Sequence, residues 1–178
     1  MNWPAHTKFV VSERKDLPMY AVIEPLSKGE AVLVMRRTQD APRDLVWTAF
    51  TTPRHLAQWY GGQGFTNPVC EMDVRPGGLW RHVMRAADGT EFALNFEYLE
   101  VVKPERLVWQ DVGHDKREPR GRPTRLNIVT FKDLGGRTEW QLVARFNSLA
   151  ERDASVQMGF AEMVDQGSER LAAYLKTL

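Results

Sequence analysis

The sequence has little of what several protein classes require. It contains one cysteine, Cys70, among 178 residues, which excludes an internal disulfide and suits a reducing compartment. Its first residues lack the apolar run of a secretory signal, and no stretch approaches the length of a membrane span. We therefore predict a soluble cytoplasmic protein without a membrane-spanning segment.

Neither sign of charge predominates, because 24 basic and 23 acidic residues give a net charge of +1. This balance provides no electrostatic reason to expect nucleic acid or an anionic membrane as the main partner. The four histidines show no HxH or HExxH spacing, and a polar loop explains Asp111, His114 and Asp115 better than a metal site does. We predict neither a metal nor another cofactor.

Signatures of catalysis are also missing. No GxSxG element occurs, and no GxGxxG motif follows a strand, so we interpret Gly61, Gly62 and Gly64 as a flexible turn between a helix and a strand. Cys70 stands in a predicted strand beside apolar residues and is interpreted as a small core residue rather than a nucleophile. The sequence favours a binding role over an enzymatic one.

Large aromatic residues, in contrast, are numerous, with six tryptophans and eight phenylalanines. Such side chains fill cores and also line apolar pockets, so their number raises the expectation of a cavity without deciding it. The chain length fits one domain with a core of its own. We assign residues 30–178 to that domain and residues 1–29, which contain three prolines and no clean periodicity, to an amino-terminal extension.

The order of predicted elements indicates an α+β fold. A strand is followed by two short helices, a run of hairpin-linked strands and one long helix. The predicted strands cover residues 30–38, 69–75, 79–86, 91–101, 106–112, 126–132 and 137–146, and the helices cover 43–50, 53–60 and 148–178. Such a plan predicts a curved antiparallel sheet wrapped around the terminal helix.

The register of one hairpin can be argued from its side chains. A two-residue turn at Asp88-Gly89 would mix an apolar stripe with a polar one. A three-residue loop with Gly89 in the left-handed conformation instead groups apolar residues on one face. That face would carry Trp80, His82, Met84, Phe92, Leu94, Phe96 and Tyr98. We predict the three-residue loop.

The last segment has apolar residues at helical spacing over six turns. The predicted buried stripe contains Val156, Phe160, Met163, Val164, Leu171, Tyr174, Leu175 and Leu178. The predicted solvent face contains Glu151, Arg152, Asp153, Glu162, Asp165, Glu169, Arg170 and Lys176. Ser148 and Glu151 form a predicted capping box. Gly159 and Gly167 interrupt the helix, and each is explained either by close packing, which we favour, or by space left for a ligand.

Five segments carry a resemblance to a known family. They are APRDLVWTAFTTPRHLAQWYGGQGFT (41–66), CEMDVRPGGLW (70–80), DGTEFALNFEYLEVVKPERLVW (88–109), VTFKDLGGRTEW (129–140) and ERLAAYL (169–175). In this order they closely resemble the family of homologues of the activator of the heat-shock-protein-90 ATPase. That family belongs to the START-like, or SRPBCC, superfamily, whose helix-grip fold is shared with the birch-pollen allergen and aromatic polyketide cyclases.

The resemblance covers roughly residues 30–178 and implies a cavity between the sheet and the terminal helix. It also has departures. Trp59, Tyr60 and Gly61-Gly62 stand where the family often has two tryptophans and Gly-Pro, and Phe96 replaces a frequent glycine, which predicts a narrower cavity. Single-domain members lack the extra amino-terminal domain with which eukaryotic activators grip the chaperone, so that activity does not follow from the resemblance.

The first functional hypothesis is therefore a module that binds a small apolar or amphipathic molecule. Its predicted cavity-lining residues are Trp59, Trp80, His82, Phe96, Tyr98, Trp109, Trp140, Phe160, Met163 and Gly167. For His82, a core role with its hydrogen bonds satisfied is favoured over a role in catalysis or ligand binding. The loop arginines Arg117, Arg120, Arg122 and Arg125 are interpreted as a solvated connection, with attraction of an anionic ligand at the cavity mouth as the alternative.

Two other functions stay open. The chain could regulate a protein partner, either the heat-shock-protein-90 chaperone in a stress response or another protein. A polyketide-cyclase-like enzyme is the weaker alternative, and its polar centre would have to come from His82, Asp111 and Asn127. The oligomeric state is open, with a homodimer as one candidate.

Overall fold

The computed structural model describes residues 29–112 and 125–178, so nearly all of the predicted amino-terminal extension lies outside the described residues. The strands are β1 (Val32–Gln39), β2 (Thr66–Met72), β3 (Leu79–Arg85), β4 (Glu91–Val102), β5 (Arg106–Asp111), β6 (Arg125–Asp133) and β7 (Thr138–Phe146). The helices are α1 (Arg43–Thr51), α2 (Pro53–Trp59), α3 (Leu149–Gln157) and α4 (Phe160–Leu175). No described helix has the length and apolar character needed to cross a membrane.

The seven strands form one antiparallel sheet. Strands β2 to β7 follow one another as a meander, and β1 pairs with β7, which gives the order β1-β7-β6-β5-β4-β3-β2. The curved sheet carries α1 and α2 after its first strand and the terminal helices after its last. This arrangement confirms the predicted α+β, helix-grip plan.

The β3–β4 hairpin has the predicted register. Trp80 pairs with Phe96, and His82 pairs with Leu94. Ala86 accepts a hydrogen bond from Gly89 and donates one to Thr90, so residues 87–89 form a three-residue loop, and Gly89 has a φ of +87°. Because register has a period of two, this loop length places the apolar side chains of both strands on the inner face.

The terminal segment differs from the prediction, because it is two helices rather than one. The break falls at Gly159, which has a φ of +85° and marks the start of α4. A Cβ atom added there would meet no atom within 4 Å, so close packing does not explain this glycine. Its role is conformational, since the left-handed region favours glycine. The apolar periodicity runs through the break because both helices direct apolar residues towards the core.

The ends of this segment also refine the prediction. Ser148 Oγ accepts a hydrogen bond from the backbone N–H of Glu151 at 3.1 Å, which confirms the cap. The carboxylate of Glu151 accepts from the backbone N–H of Asn147. At the other end, Leu178 is 51 % exposed and follows the last turn of α4, so its assignment to the buried stripe was wrong.

Two polar contacts join α4 to the first strand. Asp165 accepts from Arg37 Nε at 2.8 Å and forms an ion pair with the same guanidinium. Gln39 is buried and donates through Nε2 to the hydroxyl of Ser168 at 3.0 Å. Asp165 was predicted to face solvent, and helical spacing could not reveal that β1 places an arginine beside it. Polar residues therefore fix where α4 lies against the sheet edge.

A third contact joins α4 to the α2–β2 loop. Arg170 Nη1 donates to the backbone carbonyls of Tyr60, Gly61 and Gly62, and Nη2 donates to that of Gln58. Arg170 was predicted to face solvent, but the loop partly buries it. The predicted flexible glycine turn is thus held by a guanidinium that spans several carbonyls, a geometry that suits the planar fork of arginine.

Candidate functional site

Aromatic rings gather around Trp80 on the inner face of the sheet. Its ring centroid lies 4.6 Å from that of Phe96, 5.7 Å from Trp109 and 6.2 Å from Tyr98, with the Tyr98 ring nearly parallel to it. Tyr60, at the end of α2, lies 5.3 Å away on the helical side. The predicted residues of β3, β4 and β5 therefore form one apolar surface, because alternate residues of neighbouring strands point to the same face.

Phe96 takes up volume in this cluster. It is 2 % exposed and pairs across the strands with Trp80. A glycine at this position would leave the face of Trp80 open to the space above the sheet. That Phe96 narrows a cavity here stays a prediction.

His82 is a fully buried residue with both ring nitrogens engaged. Trp80 Nε1 donates to His82 Nδ1 at 3.4 Å, and His82 Nε2 lies 2.7 Å from Asn67 Oδ1. Because an indole N–H only donates, Nδ1 is the acceptor, and Nε2 carries the proton and donates to the amide oxygen. Burial lowers the pKa of His82 to about 4, so the ring is neutral at pH 7. This is the predicted core histidine.

Tyr98 places a hydroxyl inside the apolar cluster. The residue is 1 % exposed, and its Oη atom has no hydrogen-bond partner among the described residues. Burial raises the pKa of Tyr98 well above its usual value, so the hydroxyl stays protonated and can donate. A buried hydroxyl without a partner is uncommon in native proteins and calls for an explanation.

Cys70 lies on the same surface and is chemically quiet. It pairs across the strands with His82 and packs against the core as predicted. Burial raises the pKa of the Cys70 thiol to about 11, which keeps it protonated at pH 7. Because the thiolate is the nucleophile, this position does not suit nucleophilic catalysis.

A charged group lies at one end of the inner face, where β5 ends and β6 begins. Arg125 Nη2 and Asp111 Oδ2 are 3.1 Å apart, and Asn127 Nδ2 donates to Asp111 Oδ1 at 3.3 Å. The guanidinium carbon of Arg125 lies 4.3 Å from the centre of the Phe160 ring on α4. The charges of the pair compensate each other, and the pair spans the gap between the sheet and the helix.

Partly exposed apolar side chains surround this end of the sheet. Phe65 and Phe92 have ring centroids 5.9 Å apart, and Phe92 is 44 % exposed. Leu94, Phe160 and Met163 are half-buried. We call Phe65, Phe92, Leu94, Phe160 and Met163 the apolar rim. Of these five, the sequence predicted Phe160 and Met163 as site residues.

Trp59 and Trp140 belong to a second aromatic group, around Phe50 of α1. Their ring centroids lie 4.6 Å and 5.7 Å from that of Phe50, and Trp59 Nε1 donates to the carbonyl oxygen of Ala49. This group fixes α1 and α2 against the far strands of the sheet. The predicted lining residues therefore surround two rings, Phe50 and Trp80, and the contact of Trp59 with Tyr60 at 6.0 Å connects the two groups.

Gly167 lies where α4 crosses the α2–β2 loop. A Cβ atom added there would lie 3.3 Å from the carbonyl oxygen of Gly61 and 3.8 Å from that of Trp59. This geometry favours close packing, although against the loop rather than the sheet, over space left for a ligand.

A polar surface groove of about 440 Å³ lies outside the predicted space between sheet and helix. It is lined by Ala57, Gln58, Phe65, Thr66, Asn67, Pro68, Arg85 and Arg170. Asn67 connects this groove to the inner face, because its side chain donates to the carbonyls of Ala57 and Tyr60 and accepts from His82.

The sequence also offered residues for a metal site, an anion site and a cyclase-like centre. Within residues 29–112 and 125–178, no three acids, histidines or cysteines lie close enough to hold a metal ion, whereas His114 and Asp115 lie outside the described residues. The same applies to Arg117, Arg120 and Arg122. The cyclase-like alternative needs a polar centre made of His82, Asp111 and Asn127. In the structure His82 bonds to Asn67, whereas Asn127 bonds to Asp111, so hydrogen bonds do not join His82 to the other two.

Sequence reasoning missed the pairing of Asp111 with Arg125 and the place of Tyr60 beside Trp80. The signal for the pair was available, because opposite charges at the end of one strand and the start of the next lie on adjacent strands of a hairpin. The contact of Tyr60 with His82, at 4.6 Å between ring centroids, depends on the chain direction after α2.

Comparison with solved structures places this fold among known proteins. A protein from Nitrosomonas europaea is 26% identical, with a TM-score of 0.76 over 83% of this chain and 95% of that chain. One from Mycobacterium smegmatis is 24% identical, with a TM-score of 0.74 over 83% and 92%. The AHSA1 protein from Silicibacter pomeroyi is 21% identical, with a TM-score of 0.66 over 83% and 99%.

A search of curated proteins finds none that matches this sequence. The family model described as "Activator of Hsp90 ATPase homolog 1-like protein" matches residues 40–176, which include every described strand and helix except β1. Together with the fold, this match supports a ligand-binding or regulatory domain. The chain belongs to the family of activator of Hsp90 ATPase homologue 1-like proteins.

Proposed function

We propose that this protein binds a small apolar or amphipathic molecule between the inner face of the sheet and helix α4. The observation that carries the proposal is the Tyr98 hydroxyl, which is buried among aromatic rings and has no hydrogen-bond partner in the described part of the chain. A ligand with one polar group would satisfy this hydroxyl, and its apolar body would contact the rings around Trp80.

The apolar rim supports the same function. Half-buried apolar side chains at one end of the inner face give a ligand an apolar route to the rings. Because these side chains are only partly exposed, the protein does not present a large apolar patch to solvent there. The compensated Asp111–Arg125 pair lies at this end and adds polar contacts for the part of an amphipathic molecule that stays near solvent.

A titration with the neutral fluorescent probe N-phenylnaphthylamine tests the proposal. Leu94→Trp adds a large side chain at the rim, next to the position of Phe96, and should weaken probe binding at least five-fold. Leu79→Trp is the matched control, because Leu79 pairs with Glu97 on the outer face and is 54 % exposed. Equal weakening by both variants, or no saturable binding by the parent protein, would contradict the proposal.

Regulation of a protein partner is the second candidate. It is favoured by Leu79 and Leu99, which are 54 % and 43 % exposed on neighbouring strands. Exposed leucines are common on protein surfaces, so this observation is weaker than the buried hydroxyl. Leu79→Asp with Leu99→Asp would abolish such an interaction in a pull-down while leaving probe binding unchanged.

A further inference from the structure

The chemistry of the inner face restricts which polar group a ligand can carry, and the argument rests on the proposed function. Two buried hydrogen-bond donors belong to the inner face of the sheet. Tyr98 Oη and Arg125 Nε are both buried without a partner among the described residues. Arginine only donates, and the protonated hydroxyl of Tyr98 also has a proton to donate, so an acceptor is the one kind of partner that suits both groups.

The strand register places both donors on one face. Tyr98 of β4 pairs with Trp109 of β5, and Trp109 pairs with Asn127 of β6. Arg125 stands two residues before Asn127, so its side chain leaves the same inner face two strands away from Tyr98. Asp111 of β5 pairs with Phe96, two residues before Tyr98, so Asp111 belongs to the same face.

Charge then decides between a neutral acceptor and an anionic one. Arg125 is already neutralised by Asp111 at 3.1 Å, and both side chains are largely shielded from solvent. A carboxylate bound at Tyr98 and Arg125 would lie beside the Asp111 carboxylate, where two like charges repel each other strongly at low dielectric. A carbonyl oxygen accepts the same hydrogen bonds without this repulsion.

We infer that the ligand carries an uncharged acceptor, such as a ketone, ester or amide carbonyl, on an apolar body, and that the site discriminates against the corresponding carboxylate. Trp80, Trp109 and Phe160 provide the apolar surroundings, since Phe160 stacks on Arg125, Trp80 adjoins Tyr98 and Trp109 adjoins Trp80. This inference runs against an anionic ligand, which the arginine-rich loop had suggested as an alternative.

Three probes of nearly equal shape test it, namely naphthyl methyl ketone, naphthoate and ethylnaphthalene. Affinities are measured by calorimetry at pH 7.5 on the full chain. We expect the ketone to bind about ten-fold more tightly than ethylnaphthalene, the gain typical of one well-made hydrogen bond. Naphthoate should bind at least ten-fold more weakly than the ketone.

Two variants locate the effect. Tyr98→Phe should reduce the affinity for the ketone to that for ethylnaphthalene without changing the latter, whereas the control Tyr174→Phe, whose hydroxyl bonds to His55 at 2.7 Å, should change neither. Asp111→Asn removes the repelling charge and should raise the affinity for naphthoate above that for the ketone.

Each other outcome overturns a specific statement. Tighter binding of naphthoate than of the ketone to the parent protein refutes the inference and leaves the proposed function intact. Equal affinities for all three probes would show that binding does not depend on the acceptor group, which also refutes the inference. If no probe binds, the proposed function fails as well. The probe comparison uses the parent protein, so it stays decisive even if a variant does not fold.

Discussion

Gly167 of α4 and Gly61 of the α2–β2 loop approach each other so closely that a Cβ atom on Gly167 would lie 3.3 Å from the Gly61 carbonyl oxygen. This contact allows Arg170, one turn along the helix, to reach the carbonyls of the same loop. The loop ends at β2, which carries Cys70 and Met72 beneath Trp80 and His82. The helix and the aromatic cluster are therefore positioned by one junction.

Gly167→Leu should destabilise the protein. The leucine gains up to about 1 kcal/mol of helix propensity, but overpacking against a backbone carbonyl typically costs about 1 to 3 kcal/mol or more. We expect a net loss in urea denaturation. Ala173→Leu, on the exposed side of α4, is the control and should change stability by less than about 0.5 kcal/mol. Unchanged stability of Gly167→Leu together with weaker probe binding would instead show that the glycine leaves space for a ligand.

Arg170→Met should lower the free energy of unfolding by about 1 to 3 kcal/mol, because backbone carbonyls of the loop lose a charged donor. Arg170→Lys should recover only part of this loss, since an ammonium group cannot reproduce the planar fork. Arg81→Met removes an exposed arginine 3.7 Å from Glu71 and should have an effect below about 1 kcal/mol. Equal losses for Arg170→Met and Arg81→Met in urea melts would refute this role.

The neutral state of His82 predicts a pH dependence of stability. Burial lowers the pKa of His82 to about 4 from its usual 6.5, so the unfolded chain takes up the proton first as the pH falls. The stabilising contribution is therefore complete above pH 6.5 and is lost progressively towards pH 4. A shift of this size corresponds to about 3 kcal/mol.

The measurement is urea unfolding between pH 7.5 and 4 for the parent protein and for His82→Gln, which keeps a donor and an acceptor but does not titrate. The parent protein should lose up to about 3 kcal/mol more than the variant over this range. Parallel curves for the two proteins would mean that His82 does not bind its proton differently in the folded and unfolded states.

We propose that the domain begins near residue 30, as the sequence indicated. Phe146 donates to the carbonyl of Ala31, and Arg152 donates to that of Glu30, so both residues already bond to the sheet and α3. Removal of residues 1–28 should leave a cooperative thermal transition and unchanged binding of N-phenylnaphthylamine. Loss of either would assign residues 1–28 a part in the fold or in the site.

The sequence predicted the sheet well because its signals are local. In the β3–β4 hairpin, one loop length alone puts Trp80 and Phe96 on the same face, and the pairing has that register. The break at Gly159 was missed because the spacing of apolar residues does not reveal a change in helix direction when both helices face the core. Glycine inside a helix also has a tolerable cost, so a pattern cannot separate a tolerated glycine from a helix boundary.

The site was predicted less completely because its polar parts depend on tertiary contacts. Tyr98 could be placed on the inner face by alternation, but the absence of a partner for its hydroxyl among the described residues required the packed structure. Asp165 and Arg170 lie on the polar side of the helical pattern, yet they meet Arg37 and the carbonyls of the α2–β2 loop. Spacing identifies a polar residue but not the group that it binds.

The most direct test of ligand binding between the sheet and α4 is an isotope-edited NMR measurement of intermolecular NOEs between naphthyl methyl ketone and the labelled protein. We predict NOEs to the rings of Trp80, Tyr98 and Phe160. NOEs confined to the exposed Leu79 and Leu99, or to Thr66 and Pro68 in the polar groove, would contradict binding at the inner face.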